Sequence, residues 1–291
     1  MKPFLAAVLL LLTAFLAPSA VVAPADGAIF VATPSDDCGR QPLKADGTPW
    51  HCTFVDDFSG KELDRTRWRV QTEFVTGTPE VHACYRDNPA NVNVKYGALN
   101  LTLVELDAPA PCGVAGMGPS RYQSGMVSTW GLFSQQYGRF EARVKNTGTS
   151  QPGLHEAFWM WPDVRYGSVS PWPESGEIDV SETFSLHNDV SVSALHYSAD
   201  AEGMLRGVNM ENCTARRGVW NKYTLEWSAT RIEFFVNGKS CLVNTSGDVA
   251  FQKPYIINLT QGIGPEPMGN LPVARTPVPA SYKVDYVKAW Q

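Results

Sequence analysis

The chain has 291 residues, of which 44% are apolar and 18% charged. That balance supplies a large core and excludes a disordered polyelectrolyte. A formal charge of −5 with no Lys/Arg block excludes nucleic acid as the main partner, and beyond residue 28 no stretch reaches the roughly 18 uncharged apolar residues that span a bilayer.

Residues 1–25 read as a signal peptide. Lys2 opens it, Phe4 to Leu12 is an unbroken apolar run extended by Ala14 to Ala17, and Ala23-Pro24-Ala25 offers small residues for cleavage. The product is expected to be secreted and free of the membrane. Export gives meaning to the six cysteines, Cys38, Cys52, Cys84, Cys112, Cys213 and Cys241, an even number bound for an oxidising compartment. Neighbour pairing, 38–52, 84–112 and 213–241, closes the shortest loops. A metal site is the rival use, but no C-x-x-C or His-rich spacing is present.

Residues 26–53, with Pro34, Pro42 and Pro49, read as a loop-rich extension, and 54–291 as one domain with no linker or repeat. Alternation of period two then dominates. It runs through residues 93–103 around Gly97, and through 139–145, where Phe140, Ala142 and Val144 share one face and the charges the other. Residues 190–198 and 223–227 read as further strands. Residues 231–236, Asn237-Gly238 and 239–243 form the strongest hairpin signal, and 282–290 is the last strand. No amphipathic helical pattern appears. The fold class expected is all-β: a jelly-roll β-sandwich of two antiparallel sheets with a concave cleft.

The chemistry concentrates in Trp172-Pro173-Glu174-Ser175-Gly176-Glu177-Ile178-Asp179-Val180-Ser181-Glu182. On a strand, Glu177 and Asp179 point one way while Ile178 and Val180 point into the core. Strict alternation would put residue 181 beside them; one extra residue, a β-bulge, brings Glu182 back to their face. Like charges so close retain a proton, and a carboxylate beside a carboxylic acid is the equipment for breaking a glycosidic bond. Close spacing on one bulged strand predicts retention of anomeric configuration. A solvated acidic edge and a calcium site are the competing readings. Trp159, Trp161 and Trp172 favour sugar, because flat indole faces stack on sugar rings and calcium needs none.

With these residues in view, the sequence resembles glycoside hydrolase family 16, the laminarinase-like endo-1,3-β-glucanases, over roughly residues 54–291. The matching segments are Phe54-Val55-Asp56-Asp57-Phe58-Ser59-Gly60 with Leu63-Asp64 and Trp68; Tyr137 to Arg143; Ala157-Phe158-Trp159-Met160; Gly176 to Glu182; Leu195-His196-Tyr197; Tyr223 to Trp227 with Val236 to Lys239; and Val284-Asp285-Tyr286-Val287. The resemblance implies that Glu177 is the nucleophile, Glu182 the acid/base, and Asp179 the residue between them that tunes both. It also implies that Trp172 stacks near the scissile bond, that His196 lies in the cleft, and that Asn91 binds sugar hydroxyls. A core role for His196 and a turn role for Asn91 are the alternatives. Asn258 and Gln261 fall in a segment that partly matches the family and are expected to face the cleft. Pro79 to Tyr85 and the loop from Asp163 to Pro173 depart from the family pattern, which bears on substrate identity more than on reaction type.

Catalysis requires no cofactor on this reading. The family carries a structural calcium whose matching positions here are Asp57, Gly97 through its carbonyl, and Asp285. No G-x-S-x-G elbow or phosphate loop is present, and His155-Glu156 lacks the second His of a zincin helix. The partner is a polysaccharide, with 1,3-β-glucan first and a galactan-type polymer as alternative, acted on by a monomer. A non-catalytic β-glucan-binding protein on the same fold and a calcium-stapled structural domain are the readings from other classes.

Overall fold

The structure, a computed structural model, describes residues 35–167, 170–198, 205–264 and 269–291. The expected signal peptide and the first part of the 26–53 extension lie outside them. Period-two alternation becomes two stacked sheets. One has seven strands in the order Met210–Thr214, Val190–His196, Glu177–Phe184, Leu154–Pro162, Tyr255–Ile263, Met126–Ser128, Arg69–Val70. The other has eleven and is centred on Gly138–Lys145, Ala280–Trp290 and Leu99–Ala110. Among the described residues the named strands pair antiparallel apart from His82–Tyr85 with Ser120–Ser124. This is the jelly-roll sandwich anticipated from the sequence, and no α-helix occurs among the described residues.

The core lies between the sheets. Phe158, Met160, Ile178, Val180, Leu195, Ile257 and Leu259 from the seven-stranded sheet meet Phe140, Ala142, Val144, Tyr223, Leu225, Val284 and Val287 from the other. Burying each large side chain contributes about 1.5–3 kcal/mol. The inward positions are therefore committed to packing, and the outward face of the seven-stranded sheet is left for polar and aromatic residues.

Local expectations resolve in physical terms. Asn237 and Gly238 both have positive φ, 51° and 80°, between Ile232–Val236 and Lys239–Asn244, as a tight primed turn requires. The alternation at 93–103 is a hairpin, because the chain reverses at Tyr96-Gly97 and Val92–Val94 pairs with Leu99–Ala110. The extension ends inside the sandwich, since Cys52–Asp56 pairs with Ala280–Trp290. The disulfides join Cys38–Cys52, Cys84–Cys112 and Cys213–Cys241, the short-loop pairing.

Candidate active site

The bulge is present. Across the strand pair, Phe158 faces Ser181 but Trp159 faces Asp179. On the other flank Asp179 faces Ala194 and Glu182 faces Val192, so that Val180 and Ser181 together oppose Ser193 alone. Val180 is buried in the core, and the extra residue turns Glu182 outward. Glu177, Asp179 and Glu182 consequently line one compartment of about 260 Å³ with Tyr85, His155, Ala157, Trp159 and Thr260. An adjoining compartment of about 900 Å³ shares Glu177 and Trp159 and adds Arg69, Trp130, Trp161 and Asn258.

Each carboxylate has its own environment. Glu177 Oε2 accepts a hydrogen bond from the Trp172 indole N–H at 2.8 Å. Asp179 Oδ2 lies 3.2 Å from His196 Nε2, and Glu182 Oε1 lies 3.0 Å from His155 Nε2. Burial pushes the Glu177 carboxyl up to about 8; the Asp179 charge adds to the push, and His196 and the Trp172 N–H oppose it. Burial, with the Glu182 charge behind it, holds Asp179 well above the carboxylate range. Crowded and desolvated acids of this kind retain a proton near neutrality. Placing it on Asp179 removes the charge that most disfavours ionised Glu177, which keeps its indole donor.

The approach to Glu177 needs Gly176. Its φ is +85°, and a Cβ there would overlap the Tyr255 hydroxyl, so only glycine admits this turn. The Trp172 ring, 44% exposed, rests against the His196 ring at 5.1 Å. His196 thus sits at the site, beside the carboxylates. Trp159 is fixed by its indole N–H to Thr260 Oγ1 at 2.9 Å and meets Trp161 edge-on at 6.3 Å. Asn258 lines the larger compartment, its amide nitrogen buried without a protein partner.

Two expected cleft residues lie elsewhere. Asn91 is fully buried, and its amide donates to the Thr102 carbonyl at 2.9 Å; it braces the hairpin. Gln261 is also fully buried, on the inward face opposite Asn258 and Thr260, where its amide donates to Gly262 O at 3.1 Å and approaches Glu156. Strand parity explains this: 258 and 260 share a face, and 261 does not. His155 was not among the expected site residues. The signal was available, because alternation places it with Ala157, Trp159 and Trp161 on one face.

At the expected calcium positions, Asp285 Oδ2 is paired with Arg143 Nη1 at 2.7 Å, and Asp57 Oδ1 accepts the Ser59 backbone N–H at 3.1 Å.

Comparison with known proteins agrees with the geometry. The profile of glycosyl hydrolases family 16 matches residues 80–262. The "Glucan endo-1,3-beta-glucosidase A1" of Niallia circulans is 27% identical over 298 residues, covering 89% of this chain and 41% of that protein. The "Keratan-sulfate endo-1,4-beta-galactosidase" of Sphingobacterium multivorum is 30% identical over 181 residues, covering 60% and 41%. Among solved structures, the endo-beta-1,3-glucanase from Pyrococcus furiosus superposes with a TM-score of 0.71 at 23% identity, covering 86% of this chain and 97% of that one. The chain spans about two fifths of the length of these two curated relatives. With the profile matched over more than half its length, on a sandwich that carries the bulged acidic strand, the chain belongs to glycosyl hydrolases family 16.

Proposed function

We propose that this chain is a secreted, retaining endo-glycoside hydrolase of a β-linked polysaccharide, 1,3-β-glucan first. The observation that carries the reading is the bulge that brings Glu182 to the face of Glu177 and Asp179 beside an indole-lined groove. Glu177 attacks the anomeric carbon while Glu182 gives its proton to the departing glycosidic oxygen. The glycosyl ester is then hydrolysed: Glu182, now a carboxylate, takes a proton from water, the hydroxyl bonds to the anomeric carbon, and Glu177 leaves. Asp179 holds the shared proton against Glu177, and Trp172 steadies the nucleophile. Three disulfides in the described chain support an oxidising destination.

A galactan-type substrate is the second reading, favoured by the similarity to the Sphingobacterium protein. The test is reducing-sugar release and product sizing on laminarin, lichenan, agarose, carrageenan and galactan, with anomeric proton NMR on whichever polymer is cut. Glu177→Gln should abolish turnover and leave binding intact. Undiminished hydrolysis by that variant removes the mechanism, and tight binding without release by the parent protein makes it a glycan-binding protein.

A further inference from the structure

His155 occupies a site that neither the acidic motif nor the family match accounts for. Two contacts fix its imidazole. Its ring stacks on Phe184 at 4.8 Å and 3°, and its Nε2 lies 3.0 Å from Glu182 Oε1. On the reverse face of the same strand, the next residue is anchored inside the sandwich. Glu156 Oε2 and Oε1 take Arg217 Nη1 and Nη2 at 2.6 and 2.7 Å, and Oε2 accepts the Thr183 hydroxyl at 2.8 Å. The paired residues are consecutive: His155 with Phe184, Glu156 with Thr183, Ala157 with Glu182. The clamp therefore lies on the regular ladder just beyond the bulge between Phe158 and Trp159.

We propose that His155 is a positioning residue for the acid/base, holding the Glu182 carboxyl toward the leaving-group oxygen. This rests on the proposed glycosidase reading and deepens it. A glutamate has three side-chain torsions, and general acid catalysis depends on holding its proton within hydrogen-bond reach of the glycosidic oxygen. The imidazole suits both stations of Glu182: a neutral ring accepts from the carboxylic acid through a bare Nε2, or donates to the carboxylate through Nε2–H. The other titratable groups facing this compartment are Glu177 and Asp179 on the same strand as Glu182, and Tyr85 across it. The strand Tyr255–Ile263 on the other flank contributes Thr260 and no charge.

The test compares His155→Phe, which keeps the flat ring against Phe184 and removes the nitrogen, with His155→Gln, whose amide reaches a similar place. On the polysaccharide that the parent protein hydrolyses, kcat/KM of His155→Phe should fall about tenfold to a hundredfold, with KM little changed. On the 2,4-dinitrophenyl glycoside of the released oligosaccharide, whose leaving group departs without a proton, kcat/KM should fall less than about threefold. His155→Gln should recover most of the loss. The alkaline limb of the kcat/KM profile, which reports the acid form of Glu182, should shift: downward where Nε2 accepts from the acid, upward where it donates to the carboxylate. Equal losses on both substrates, or an unmoved alkaline limb, overturn the proposal and reduce His155 to packing. Failure of the parent protein to cut any polymer sinks the glycosidase reading instead, so the two failures are distinct.

Discussion

Replacing Arg217 with Met leaves the Glu156 carboxylate inside the sandwich without its cation. The two side chains are 1% and 0% exposed, so water cannot substitute for the guanidinium. What remains for Glu156 is Thr183 Oγ1 at 2.8 Å, Asn146 Nδ2 at 3.1 Å and the Gln261 amide at 3.5 Å. Breaking one side of a buried ion pair costs about 3–5 kcal/mol, and at roughly 2–4 °C per kcal/mol for a domain of this size the melting temperature should fall by about 6–20 °C. The pH dependence carries the sign of the cause. In the parent protein burial pushes Glu156 up, but the Arg217 charge and hydrogen bonds outweigh it and hold the carboxyl below its ordinary value. That stability is present above the unfolded pKa and lost as pH falls through the folded one. In Arg217→Met burial acts unopposed, the folded value lies above the unfolded one, and stability is lost as pH rises through it. The deficit should therefore widen from about pH 5 to about pH 8. Guanidinium unfolding followed by tryptophan fluorescence, disulfides intact, measures it at both values. Glu156→Leu with Arg217→Met should recover most of the loss, because the unpaired charge is gone. A deficit below about 1 kcal/mol, or one indifferent to pH, would refute a charged, water-free clamp under the acid/base strand.

Asp179→Asn replaces the carboxyl that holds the shared proton with a neutral amide of the same shape, so Glu177 still faces no charge there. The acidic limb of kcat/KM should stay in place even as the maximum drops; a limb that moves to distinctly lower pH would mean that Asp179 is ionised in the parent protein and contradicts the shared-proton assignment. Trp172→Phe keeps a ring beside His196 but deletes the 2.8 Å donor to Glu177. A fall of about tenfold in kcat/KM on an activated aryl glycoside is expected for a lost bond to a charged acceptor, and steady-state kinetics at the pH optimum would reveal its absence. Gly176→Ala forces a Cβ onto the Tyr255 hydroxyl at φ +85°; thermal melting should show a loss of about 2 kcal/mol or more, and an unchanged melt would mean that the turn relaxes freely.

The outline of this protein was written into its residues. Period-two alternation, the Asn237-Gly238 turn and an even number of cysteines dictated an antiparallel, stapled sandwich, because side-chain direction on a strand follows parity and short loops close first. The acidic strand was equally readable: Ile178 and Val180 belong in a core, so Glu177 and Asp179 face out, and one added residue redirects Glu182. Parity also carried information about His155, beside Trp159 and Trp161 on an alternating strand, and against Gln261, one step out of phase with Asn258. What sequence spacing does not encode is which strands lie side by side. Glu156 meets Arg217 and Thr183, Asn91 meets Thr102, and Asp285 meets Arg143 only once distant segments are brought together. Those encounters decided which polar groups became buried anchors and which stayed in the cleft, because a polar side chain takes its role from the dielectric and the partner it folds against.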